Sequence, residues 1–154
     1  MARNVPDHAD ISQSGETSGT AVIVVDTNLV AYAFIEGTHT PLTAQVREKD
    51  AEWRLPVLWR HEFLNILATY VRHGGMELRQ SLAVWDRAMK LLVPCERVVD
   101  MTLALHLAVA NHISAYDAQF IALAQSLNTV CLTEDRRLLR VFPRFTKSMK
   151  QFCS

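Results

Sequence analysis

Hydrophobic and polar positions along the chain change period several times, and each change marks an element. Residues 21–25 form an unbroken apolar run rich in β-branched side chains, the pattern of a strand buried on both faces of a parallel sheet. Residues 1–20 before it are poor in large apolar side chains and end in a Ser/Gly/Thr cluster, which predicts a mobile extension over 1–20 and one domain over 21–154. After Asp26-Thr27-Asn28 a short helix is predicted over 29–35, closed by Gly37. Thr40 and Pro41 read as the N-cap and first residue of a polar helix reaching about residue 51, and a short strand follows over 55–58. Phe63, Leu67, Tyr70 and Val71 recur at helical spacing over 59–73, with Gly74-Gly75 as the stop. Leu78, Leu82, Trp85, Met89 and Leu92 place another amphipathic helix over 77–92.

The alternation continues to the end of the chain. A weak strand is predicted over 97–99, a helix capped by Asp100 to about residue 111, and a helix begun by Ser114 to about residue 127. Asn128-Thr129 turns into a strand over 130–133, then come a short helix over 136–141, Pro143, and a last strand over 145–149. Strands separated by helices imply a parallel, doubly wound α/β sheet, because right-handed crossovers put helices on both faces.

The chain has 154 residues and 49% hydrophobic content, enough for one core of ordinary size without disulfides or a structural metal. Cys95, Cys131 and Cys153 are widely spaced, with no CxxC pair, and read as reduced thiols. No apolar run approaches the roughly 18 residues of a membrane span, and no signal pattern opens the chain, so a cytoplasmic protein without a membrane partner is expected. Sixteen basic residues balance 16 acidic ones, which at face value argues against a nucleic-acid binder.

Ligands of an open parallel sheet bind at the carboxyl edge of the strands. Asp26 follows the first strand directly, Glu62 lies in the first turn of the helix after the second, Asp117 in the first turn of the helix before the 130–133 strand, and Asp135 just past that strand. Each has an ordinary explanation: Asp26 and Asp135 as helix caps, and Ser114 with Asp117 as a capping box. Glu62 has none, because the residue four positions on is Ile66, which is no cation. Together they are costly, since two carboxylates about 5 Å apart repel by roughly 3 kcal/mol at an effective dielectric of about 20. A divalent cation removes the cost, and carboxylates without nearby Cys or His select a hard ion, Mg²⁺ or Mn²⁺.

The sequence Val24-Val25-Asp26-Thr27-Asn28, then His61-Glu62-Phe63-Leu64-Asn65, then Ala115-Tyr116-Asp117-Ala118, then Leu132-Thr133-Glu134-Asp135-Arg136-Arg137-Leu138 resembles the PIN-domain nucleases, particularly the VapC-type toxins of bacterial toxin–antitoxin pairs. The resemblance covers residues 21 to about 150. It implies a PIN-like three-layer α/β/α fold with about five parallel strands, Asp26, Glu62, Asp117 and Asp135 as the quartet holding Mg²⁺ or Mn²⁺, and Asn28 and Thr133 as polar supports. It also implies an RNA substrate, a homodimer and a VapB-like antitoxin, with DNA contacted only through that antitoxin. The extension over 1–20 departs from the usual pattern, in which the first strand opens the chain.

Chemistry of this kind is an in-line hydrolysis of a phosphodiester by a cation-activated water, leaving a 5′-phosphate and a 3′-hydroxyl. A haloacid-dehalogenase-like phosphatase needs a second acid where Asn28 stands. The other alternative is a non-catalytic PIN-like module that binds RNA or protein, which has no need to keep four acids. Charge can now be read again. Without 1–20, which hold Arg3 against Asp7, Asp10 and Glu16, and without the quartet, 15 basic residues face 9 acidic ones. Arg136, Arg137 and Arg140 open a stretch after Asp135 that holds no acid, and they are the candidates for contact with an RNA backbone.

Overall fold

The computed structural model describes residues 21–49 and 51–154, so the extension expected over 1–20 lies outside the described residues. Strand β1 (Val22–Val25) stands where the apolar run placed it. Its side chains alternate between two cores: Ile23 and Val25 enter one apolar cluster and Val24 the other. Strands β2 (Glu52–Arg54) and β3 (Cys131–Leu132) pair with it, and β4 (Thr146–Lys147) pairs with β3, in a four-stranded, fully parallel sheet of order β2-β1-β3-β4.

Helices α1 (Thr27–Phe34), α2 (Thr40–Glu48), α3 (Trp59–His73), α4 (Leu78–Leu92) and the terminal α8 (Met149–Cys153) supply one core, with Ile23 and Val25. Helices α6 (Ala115–Ser126) and α7 (Arg136–Val141) pack on Val24 and Cys131 on the other side. Helix α5 (Met101–Asn111) lies against α6 through Ala104, Ala108, Ala118 and Ala122, small residues that let two helices approach closely. The result is a three-layer α/β/α domain. No helix among the described residues is long and apolar enough to cross a membrane.

Several boundaries differ from the sequence reading. Helix α1 begins at Thr27, not residue 29, because Asp26 already stands at the N-cap position and its carbonyl accepts the N–H groups of Leu29 (3.0 Å) and Val30 (3.4 Å). Thr40 is not the N-cap of α2; His39 holds that position, and the Thr40 hydroxyl accepts the Gly37 N–H (2.9 Å), bonding back to the turn before the helix. The second strand lies at 52–54 and not at 55–58: its edge residues Glu52 and Arg54 form an ion pair (2.5 Å), and Pro56, lacking an N–H, ends the ladder. Residues 97–99 form no strand, and Val98 is 95% exposed. A single parallel bridge from Leu55 to Glu96 is all that the expected fifth strand contributes among the described residues. The strand expected over 145–149 is cut to 146–147 because Ser148 and Gln151 form a reciprocal capping box that starts α8.

Helix α3 matches its expected span and anchors the core. Trp59 and Phe63 are fully buried, their rings 5.9 Å apart, and Phe63 stacks on Trp85 of α4 at 6.2 Å. The apolar face predicted for α4 is only partly covered: Leu78 and Leu82 remain 62% and 56% exposed, lining with Val71 and Leu64 a groove of about 340 Å³.

Candidate active site

Strand β1 is flanked by β2 on one side and β3 on the other, so the chain order switches direction beside it, the place where open α/β sheets form their ligand crevice. Asp26 stands at that point, directly after β1, and is 9% exposed. Although it occupies the N-cap position of α1, its side chain makes no capping hydrogen bond. Its Oδ2 instead accepts the hydroxyl of Thr133 at 2.9 Å. That hydroxyl in turn accepts the Asp135 N–H at 3.0 Å, so its one proton is committed to Asp26 and it ties the end of β1 to the end of β3.

The other three acids arrive on helix starts. Glu62, in the first turn of α3, accepts the Thr27 hydroxyl on Oε1 at 2.8 Å. Asp117, in the first turn of α6, has its N–H held by the Ser114 hydroxyl at 3.0 Å. The return half of the expected capping box is not formed, so the Asp117 carboxylate is not used up in capping. Asp135 does cap its helix: Oδ1 accepts the N–H groups of Arg137 (2.8 Å) and Leu138 (3.0 Å), and Oδ2 takes no part in the cap. Asp26, Glu62, Asp117 and Asp135 line one cleft of about 250 Å³, joined by Thr27, Asn28, Asn65 and Ile66.

Electrostatics in the cleft run one way. Burial pushes the Asp26 carboxyl up to about 6, with Glu62 and Asp117 adding to the shift and the Thr133 hydrogen bond opposing it. Glu62 is raised by burial, with the Thr27 hydrogen bond opposing and Asp117 adding; Asp117 is raised by burial, with Ser114 opposing, Asp135 adding and Arg137 opposing to the least extent. The ion pairs among the described residues are Arg54–Glu52 and Arg60–Glu96, and neither involves the cleft.

The donor set is all oxygen and fits a hard divalent cation. A buried carboxylate with no cationic partner and a like-charged neighbour on either side calls for such a counter-charge. Among the described residues no three His, Cys, Asp or Glu side chains converge closely enough to hold a cation as they stand.

Asn28 and Thr133 stand beside the acids as the sequence reading expected. Two polar residues it gave no role are Thr27, buried and bonded to Glu62, and Asn65, which lines the cleft. Asn65 lies three residues after Glu62, a helical spacing that puts both on one face of α3. The three arginines divide. Arg136 and Arg140 are exposed with no hydrogen bond among the described residues, whereas the Arg137 guanidinium donates to the backbone carbonyl of His112.

The family model for the PIN domain matches residues 23–142, a span containing all four acids. In three dimensions the chain is similar to PAE2754 from Pyrobaculum aerophilum, known from a crystal structure, with a TM-score of 0.62 over 88% of this chain and 96% of that one. The two are 22% identical, so their likeness is one of fold. No curated protein matches the chain in sequence.

Proposed function

Because the chain belongs to the PIN domain family, whose members are generally nucleases, we propose that it is a metal-dependent endoribonuclease serving as the toxin of a VapBC-type toxin–antitoxin pair. The observation that carries this reading is Asp26: buried at the switch point of the sheet, spared from capping, and lining one cleft with Glu62 and Asp117, with no cationic side chain paired to it among the described residues.

In this reading Asp26, Glu62, Asp117 and Asp135 would hold Mg²⁺ or Mn²⁺, which would supply positive charge for a phosphate and make water more acidic. The Thr133 hydroxyl fixes the Asp26 carboxylate, and the Thr27 hydroxyl fixes that of Glu62. Asp117 accepts the proton of the attacking water as the new P–O bond forms and the bond to the 3′-oxygen breaks; the departing 3′-oxygen takes a proton from solvent water, leaving a 5′-phosphate and a 3′-hydroxyl. Asn28 and Asn65 provide neutral amide donors at the rim, suited to phosphate or ribose oxygens. Exposed Arg136 and Arg140 draw the RNA backbone to this edge.

Two apolar faces support a protein that works with partners. Residues 101–116 contain no Asp, Glu, Lys or Arg, and Met101, Leu105 and Val109 form a stripe along α5 that is 59–69% exposed. An uncharged, self-complementary stripe suits a second copy of the chain, giving the homodimer. The α3–α4 groove, apolar with Arg72 at its lining, suits an amphipathic antitoxin helix carrying an acidic residue.

The deciding experiment incubates purified protein with single-stranded RNA in Mg²⁺, Mn²⁺ or EDTA. Wild type should cleave only with a cation, and Asp117→Asn should lower the rate by at least about a hundredfold while keeping the fold. Wild-type cleavage rates in Asp117→Asn would overturn the assignment. RNA binding without cleavage under any cation would favour the non-catalytic module.

A further inference from the structure

We propose that Arg137 is a positioning residue that sets the spacing of Asp117 and Asp135, and that its partners on α7, Arg136 and Arg140, are the ones left to meet RNA. The role assigned to it rests on the nuclease reading; the clamp itself does not.

Arg137 is bonded to both sides of this acidic pair. Its backbone N–H donates to Asp135 Oδ1 at 2.8 Å. Its guanidinium reaches across 25 residues of sequence to donate to the His112 carbonyl. His112 is the C-cap of α5 and has φ 53° and ψ 40°, a left-handed conformation that residues other than glycine adopt at a cost. Two residues on, the Ser114 hydroxyl accepts the Asp117 N–H. Arg137 thus grips the chain at His112, and the covalent chain through Ile113 joins that point to the Ser114 cap of α6.

The turn so gripped leads directly into α6, the helix that carries Asp117 into the cleft and packs on α5 through Ala104, Ala108, Ala118 and Ala122, with Leu103, Leu107 and Ile113 against them. Asp117 and Asp135 repel each other, each on the first turn or cap of a different helix, so something must oppose their separation. The Arg137 cation lies close enough to Asp117 to counter part of the effect of Asp135. Arg136 and Arg140 share the helix and the charge but have no such partner among the described residues. Arginine suits the task because its planar fork can hold a carbonyl while keeping its charge directed elsewhere.

Replacing Arg137 by Ala removes the guanidinium and leaves the backbone N–H that caps α7, so the variant isolates the long-range contact. Amide hydrogen exchange over residues 113–117 should quicken by about tenfold or more in Arg137→Ala, with β1 amides unchanged. In RNA cleavage the same variant should lose about 10- to 100-fold in kcat with KM within about twofold, as expected of misplaced groups. The double variant Arg136→Ala/Arg140→Ala should show the converse: raised KM, weaker salt dependence, and unchanged kcat and exchange. Arg137→Lys, which keeps the charge and is the fallback if the alanine variant does not fold, should fall between wild type and alanine in exchange over 113–117. Unchanged exchange over 113–117 in either Arg137 variant, or an effect of Arg137→Ala on KM alone, would overturn the proposal. A wild-type protein that fails to cut RNA would instead remove the nuclease reading, while the exchange measurement still decides the clamp.

Discussion

A carboxyl group buried against Thr133 and facing Glu62 and Asp117 gives up part of its tendency to ionise on folding, so Asp26 couples the stability of the protein to pH. Its ordinary value of 3.8 rises to about 6 in the folded chain. Between those values the native state binds more protons than the unfolded one, so the metal-free protein should lose stability as pH rises through that window and level off above it. The loss from Asp26 alone is about 3 kcal/mol, and Glu62 and Asp117, shifted the same way, steepen it. Urea unfolding in EDTA at about pH 4 and about pH 7 measures the difference; Asp26→Asn should flatten it and stabilise the protein at neutral pH. Mg²⁺ or Mn²⁺ should raise the melting temperature more at about pH 7 than at about pH 5, because only the ionised acids attract it. A metal-free protein that gains stability steadily from pH 4 to pH 7 would contradict the burial of Asp26.

Elements with a long apolar signal were legible, and those defined by polar contacts were not. Strand β1 and helix α3 fall where the pattern puts them because Val24, Val25, Trp59 and Phe63 are fully buried and nothing competes with that burial. Phe63→Ala should therefore cost about 3–5 kcal/mol in unfolding free energy, since its ring meets Phe34, Trp59 and Trp85 at once. Strand β2 was placed three residues late because Glu52 and Arg54 pair with each other on a half-polar edge, while apolar Leu55 beyond them only bridges to Glu96. Helix α8 hid beneath an apolar reading of 145–149, although the spacing of Ser148 and Gln151 that starts it is plain in the sequence. The place of Asp26 was legible for a related reason: a residue directly after a buried strand has its position fixed by that strand. The Thr27 hydroxyl bond to Glu62 was not, because it depends on how α1 and α3 face one another, which no local pattern encodes. The same holds for the grip of Arg137 on His112.

At the scale of the whole molecule, an even balance of charge conceals a separation: four acids gather at the switch point, and the stretch of chain after Asp135 is basic and holds no acid. The α5 stripe is the other large-scale feature. Leu105 lies at its centre, 62% exposed, and Leu105→Glu should convert a dimer to a monomer in sedimentation without lowering the melting temperature of the domain. A monomeric wild type at micromolar concentration would rule out that interface. The bond from Thr133 to Asp26 spans 107 residues, and it has a consequence in time. A chain leaving the ribosome exposes Asp26 and Glu62 early, but β3 cannot take its place beside β1 until residues 131–132 have emerged, and Asp135 follows them. Closure over so long a loop comes late in folding. The cleft therefore stays incomplete until the chain has grown 107 residues past Asp26, when Thr133 can reach it.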